Sequence, residues 1–340
     1  MIDLASDTVT RPTPSMLEAM MKAPVGDDVL GEDPTVVMLE EKSADLFGME
    51  AALFCASGTM TNQISINVHT RPGDELICHH MAHIYVYEGG GIMANSGVSA
   101  KLVGDDDGTL TPAQIANAIN PPDIHLPRTR LVAIENTSNK GGGRVLPLED
   151  LRAIGEIARQ HGLAYHLDGA RLCNALVAEG TAPKDVGSLF DSISLCLSKG
   201  LGCPVGSLLI GQRDFIHEAR RVRKRFGGGW RQAGYLAAAG IHALDHHVER
   251  LEEDHAKAER LGDCVSSRPW AGAVSPVETN IVVFRLADAE RTNDFLEQTR
   301  ERGLRVSHLG GGVLRMVTHL DVSDEDVDSA CIVLESLTLA

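Results

Sequence analysis

Leu163-Ala-Tyr-His-Leu-Asp168-Gly-Ala-Arg171 and, after a helix-like interval, Asp191-Ser-Ile-Ser-Leu-Cys-Leu-Ser-Lys199-Gly-Leu-Gly202 share one pattern: a short apolar run that ends in charge. Runs of this length, with β-branched or aromatic members and a glycine at the exit, read as buried strands of a parallel sheet. In open α/β sheets ligands collect beyond the carboxyl ends of the strands. The pattern therefore predicts that Asp168, Arg171 and Lys199 project into one crevice.

These three residue types suggest a particular chemistry. A buried lysine attacks a carbonyl to form an imine. Pyridoxal phosphate (PLP) needs such a lysine for its aldehyde and an anion that keeps its ring nitrogen protonated. Arg171 then serves the cofactor's phenolate oxygen, a substrate carboxylate, or both. The plainer reading has Asp168 capping the helix that starts near Ala170, and Lys199 as a solvated loop lysine.

The whole chain sets bounds on these readings. With 340 residues, 43% of them hydrophobic, it has enough apolar surface for a large core and a smaller second domain. A net charge of -16 argues against nucleic acid and against anionic membranes as partners. The acidic start Met-Ile-Asp-Leu-Ala-Ser-Asp lacks a signal-peptide core, and no apolar run reaches the length of a membrane span. Cys55, Cys78, Cys173, Cys196, Cys203, Cys264 and Cys331 form no C-x-x-C pair, so reduced thiols in a cytoplasmic protein, with no metal site, are expected.

Along the chain, Pro12 and Pro14 open a helix through Ala23, and Asp33-Pro34 opens another that Gly48 closes. Ala51–Ala56 is a strand that runs into Ser57-Gly58-Thr59 and a helix through His69, a strand–turn–helix whose free N–H groups suit a phosphate. His83 follows strand Glu75–His79; it either lies on a cofactor ring and exchanges protons, or is a structural histidine. Further strands are expected at Arg130–Glu135 and Gly206–Gly211, the latter antiparallel. The basic run Arg220 to Arg225, with Arg231 beyond it, is either a solvated face or an anion contact, such as one to the phosphate of a neighbouring subunit's site. One long helix is expected from Arg231 to about Leu261. A compact carboxyl-terminal α/β unit follows, in which Arg315 sits among apolar neighbours and needs an acidic partner or a carboxylate ligand.

Taken together, Ser6-Asp7-Thr8-Val-Thr-Arg-Pro-Thr, Val25-Gly-Asp-Asp-Val, Gly-Glu-Asp-Pro-Thr35, Ser57-Gly-Thr, Glu135-Asn-Thr, His166-Leu-Asp-Gly-Ala-Arg171, Cys196-Leu-Ser-Lys-Gly-Leu-Gly, Gly227-Gly-Gly-Trp-Arg-Gln and Arg315-Met-Val-Thr-His-Leu resemble the low-specificity L-threonine aldolases nearly end to end. These are PLP enzymes of the aspartate-aminotransferase fold type. The resemblance implies an α/β large domain over residues 1–250, with a mostly parallel seven-stranded sheet between helices, and a small α/β domain over residues 251–340. It implies that Lys199 holds the cofactor, Asp168 pairs with its ring nitrogen and His83 stacks on the ring. Gly58 and Thr59 hold the phosphate, helped by Lys224 and Arg231 from around the site or the adjacent subunit. Ser6, Arg171 and Arg315 grip the substrate carboxylate. The implied reaction is retro-aldol cleavage of threonine, allo-threonine and other β-hydroxy-α-amino acids to glycine and an aldehyde, by a cytoplasmic homotetramer with shared sites. The base is His83 or, second, His125, directly or through water. Leu30 stands where relatives carry tyrosine and Ser138 where they carry histidine, which leaves the threo/allo preference open; faster turnover of the allo form is the expectation. Another PLP enzyme of this fold, a β-eliminating lyase or transaminase, would use the same Lys199 and Asp168, and a non-catalytic relative would keep only the scaffold.

Overall fold

The computed structural model describes residues 1–339. A seven-stranded sheet is built from β1 (Ala51–Cys55), β2 (Asp74–His79), β3 (Ser99–Val103), β4 (Arg128–Glu135), β5 (Ala164–Gly169), β6 (Ser192–Cys196) and β7 (Ser207–Gly211). Their order across the sheet is β1-β7-β6-β5-β4-β2-β3. All neighbours run parallel except β7, which is antiparallel to both β1 and β6, as the turn-back reading expected. The strands are apolar and almost wholly buried, because helices cover both faces of a parallel sheet. Of these seven strands the chain reading left out β3, an edge strand with no fully buried residue and so a weak apolar signal.

A second, antiparallel sheet of β8 (Ala271–Val274), β9 (Ile281–Leu286), β10 (Ser307–Gly310) and β11 (Val313–Val317) has the order β10-β11-β9-β8. It packs with helices Leu251–Ser266 and Asp324–Glu335 around Trp270, Phe284 and Phe295.

Local chemistry explains the helix ends. Asp33 accepts from the amides of Thr35 and Val36, Pro34 takes the first helical position, and Gly48 closes the helix at a φ of 64°. Ser323 and Asp326 form a capping box on the last helix. Two expectations change. The single helix foreseen from Arg231 to Leu261 is two, Gly234–His246 and Leu251–Ser266, broken where His247 turns its Nδ1 onto the carbonyl of Leu201 at 2.8 Å. The amino-terminal segment, assigned by sequence to the large domain, pairs Ile2–Asp3 with Leu304–Arg305 and buries Leu4 in the small unit's core. Burying that leucine outweighs chain proximity.

Candidate active site

The carboxyl ends of β4, β5 and β6 lie side by side, with Glu135 opposite Asp168 and Asp168 opposite Ser194. Beyond them opens a cavity of about 280 Å³ lined by Thr59, His83, Asp168 and Lys199, among others. The structure thus brings Asp168 and Lys199 together with the Ser57-Gly58-Thr59 turn. Each lies at or just beyond the carboxyl end of a buried strand: Asp168 is the last residue but one of β5, Lys199 comes three residues after β6, and the Ser57-Gly58-Thr59 turn follows β1.

Gly58 and Thr59 occupy the first two positions of helix Gly58–His69, which Ser57 caps by accepting from the amide of Met60. Their own amides have no acceptor within the helix. A side chain at Gly58 would bring its Cβ to 2.5 Å from the Cys196 sulfur, so only glycine lets the turn approach β6 this closely.

Asp168 is 2% exposed. It accepts from Asn62 Nδ2 at 2.9 Å and from the amide of Ala170 at 3.2 Å. The next helix starts only at Leu172, with Arg171 at its N-cap and no side-chain capping bond, so Asp168 is not its cap. Burial, reinforced by the charges of Glu135 and Glu88, pushes its carboxyl up to about 7. A cation placed against it, such as a protonated ring nitrogen, relieves that cost.

His83 is held at three points. Its backbone amide donates to Glu135 Oε2 at 2.6 Å, its Nδ1 lies 3.0 Å from Glu88 Oε1, and its ring tilts against Tyr87 at 5.6 Å. The hydrogen bond to Glu88, partly opposed by burial, raises its pKa. His83, Glu88 and Asp168 offer ligand-type atoms within 4.8 Å of one another, a spacing compatible with a metal. The Asn62 amide already donates to both carboxylates, which organises the cluster as a hydrogen-bond network.

Arg171 is paired with an acid that the sequence reading did not assign to it. Its Nε and one terminal nitrogen donate to the two oxygens of Asp7 at 2.8 and 2.7 Å, a bidentate pair buried on both sides. Burial works against the Asp7 charge, but Arg171 overrides it and holds the carboxyl at about 2. Only the remaining nitrogen points elsewhere, 3.4 Å from Asn139 Oδ1. Arg315 on β11 shares that oxygen at 2.9 Å and also donates to the carbonyl of Ala5 at 3.2 Å. It has no acidic partner among the described residues, and its buried Nε is unbonded. Ser6 caps the turn Asp7–Val9, accepting from the amide and hydroxyl of Thr8.

Other candidates lie elsewhere. His125 is 83% exposed and bonded to Asp123, on the turn before β4 and hence at the opposite end of that strand from the crevice. Lys224 and Leu30 line a separate cavity of about 850 Å³, and Arg231 is exposed and paired with Asp27 at 2.6 Å. The basic helix is largely paired within the chain: Arg220 meets Glu40, and Arg223 is buried against Asp28 at 2.9 Å. Ser138 is a turn residue whose hydroxyl accepts from the amide of Gly141. Sequence reasoning missed Asp7 and Thr8, both in a quoted polar cluster, and Asn62, Glu88, Glu135 and Asn139. The usable signal was Asn62 itself, one helical turn after Gly58 and so on the helix face that looks at the sheet.

The donors suit PLP: open amides for a phosphate, a burdened carboxylate for the ring nitrogen and an amine for the aldehyde. The chain belongs to the family described as "Beta-eliminating lyase", whose model matches residues 3–289. The chain is 46% identical to the low specificity L-threonine aldolase of Escherichia coli (strain K12) over 329 residues, 96% of each chain. It is 43% identical to a probable low-specificity L-threonine aldolase 2 of Arabidopsis thaliana over 334 residues, 96% of this chain and 94% of that one. It therefore belongs to the low-specificity L-threonine aldolase family. In fold it matches Leishmania major threonine aldolase with a TM-score of 0.85 at 22% identity, over 98% of this chain and 99% of the other. No helix among the described residues is long and apolar enough to cross a membrane.

Proposed function

We propose that this chain is a PLP-dependent aldolase that cleaves L-threonine, L-allo-threonine and other β-hydroxy-α-amino acids to glycine and an aldehyde. One observation carries the reading: Lys199, Asp168 and the open Gly58–Thr59 turn share one cavity. Lys199, Asp168, Gly58 and Thr59 would hold the cofactor. When bound, it supplies an electron sink for the Cα–Cβ bond that breaks.

The residues divide the remaining work. Arg315 receives the substrate carboxylate, with the outer nitrogen of Arg171 and the Asn139 amide group beside it. Arg171 itself is a strut for Asp7. Asp168 keeps a proton at the ring nitrogen. His83 takes the proton of the β-hydroxyl, directly or through water, because its Nδ1 is committed to Glu88 and its Nε2 is not. His125 could reach a site only from a neighbouring subunit. Lys224 and Leu30, on a separate cavity, and the exposed Arg231 would serve a neighbouring copy's site in the same way, in an assembly of several copies, and the five buried free cysteines suit a reducing cytoplasm.

The test is product analysis with Lys199→Ala beside the parent. The parent should release glycine and acetaldehyde from threonine, and borohydride should fix the cofactor's mass on Lys199; the variant should do neither. A keto acid with ammonia in place of glycine would make the protein an eliminating lyase.

A further inference from the structure

The floor of the crevice is a chain of buried polar side chains that the proposed reaction leaves unused. Glu88 is 7% exposed, yet no lysine or arginine pairs with it among the described residues. It accepts from Asn62 Nδ2 at 2.9 Å and from Gln63 Nε2 at 2.6 Å, and its remaining contact is His83 Nδ1 at 3.0 Å. The Asn62 amide nitrogen has two hydrogens and uses both, one toward Glu88 and one toward Asp168 at 2.9 Å.

The orientation of that amide is determined from behind. Its oxygen lies 3.1 Å from His166 Nε2, while His166 Nδ1 faces the hydroxyls of Ser65 and Ser192, each at 2.9 Å. Burial pushes His166 down to about 3, so it is neutral with a single ring proton, and the hydroxyls can donate to Nδ1. Turning the amide over would set its oxygen against two carboxylates. The direction of every bond from His166 to His83 follows.

We propose that Glu88 is a positioning residue that keeps the His83 proton on Nδ1 and, through the shared Asn62 amide, joins that ring to Asp168. Which ring nitrogen carries the proton is set by the bond the other makes. Here that leaves Nε2 as the free base on the substrate side. The consequence for the reaction rests on the reading of His83 as base; the tautomer itself does not. Every charged group facing His83 enters the balance: Glu88 from its own loop, Glu135 from β4 and Asp168 from β5 favour the imidazolium, and Lys199 after β6 opposes it. Glu88 dominates because it is in direct hydrogen-bond contact.

Nitrogen-15 and proton NMR of His83 in the cofactor-free protein tests this without any turnover. In the parent, the neutral ring should show the proton on Nδ1, with a titration midpoint above the ordinary histidine value; in Glu88→Gln the midpoint should fall and the two tautomers mix. A neutral ring protonated on Nε2 in the parent overturns the proposal, even if the variant fails to fold. So does an unmoved midpoint in a folded variant. In the loaded enzyme, Glu88→Gln should lower kcat roughly tenfold or more, a share of what positioned proton transfer supplies. KM should change little, and the acid limb of the kcat profile should move to lower pH. The expected NMR result with an unmoved pH profile upholds the positioning role and removes His83 as the base.

Discussion

Two arginines that resemble each other in sequence have different duties in the folded chain. Arg171 spends its fork on Asp7, whereas Arg315 presents donors with no acid to take them. A charge-assisted bond to a carboxylate contributes about 1.5–3 kcal/mol, or roughly ten- to hundredfold in binding. Arg315→Ala should therefore lower kcat/KM for threonine by roughly that factor, and Arg315→Lys should recover only part, because a point charge does not replace a planar fork. Steady-state kinetics decide it. An unchanged value for both variants would hand the carboxylate to Arg171.

At the scale of elements, the Asp7–Arg171 pair pins the amino-terminal segment to the end of β5, and Asn280 of the small unit reaches the same carboxylate at 3.4 Å. Asp7 is depressed from 3.8 to about 2. Its contribution is therefore complete above about pH 4 and is lost as the pH falls through 2, amounting to about 2 kcal/mol. Removing one partner strands a buried charge, so Asp7→Asn should cost roughly 3–5 kcal/mol. Denaturant melts at neutral pH measure the loss; a variant as stable as the parent would mean that the pair merely fills space. The same long-range contacts explain what local pattern could not show. Asp33-Pro34 and Ser323 announce their helices because a cap needs only neighbours. The break at His247 depends on the Leu201 carbonyl, which only folding brings there.

For the whole molecule, the wide cavity beside Lys224 and Leu30 and the exposed Arg231 are separate from the lysine crevice of the same chain. Shared sites make a sharp prediction. Lys199→Ala and Arg231→Ala, each inactive or weak alone, should regain activity when unfolded together and refolded, because one site in a mixed pair receives neither change. Mixtures no better than the sum of their parts would assign Arg231 to its own chain.

Much of the fold and half of the site were legible in the order of residues. An apolar run ending in charge defines a buried strand and the group at its tip, which is why Asp168, Lys199 and the Gly58–Thr59 turn could be named from local pattern and placed by the rule for parallel sheets. Asp7, Asn62 and Glu88 follow no such pattern, since a polar residue on a helix or loop reads as solvated until something long-range buries it. Their partners, and the bidentate pairing of Arg171 with Asp7, were decided by tertiary structure. The reason is physical: hydrophobic periodicity is a property of neighbours in the chain, but the partner of a buried charge is whichever group the packing brings within about 3 Å.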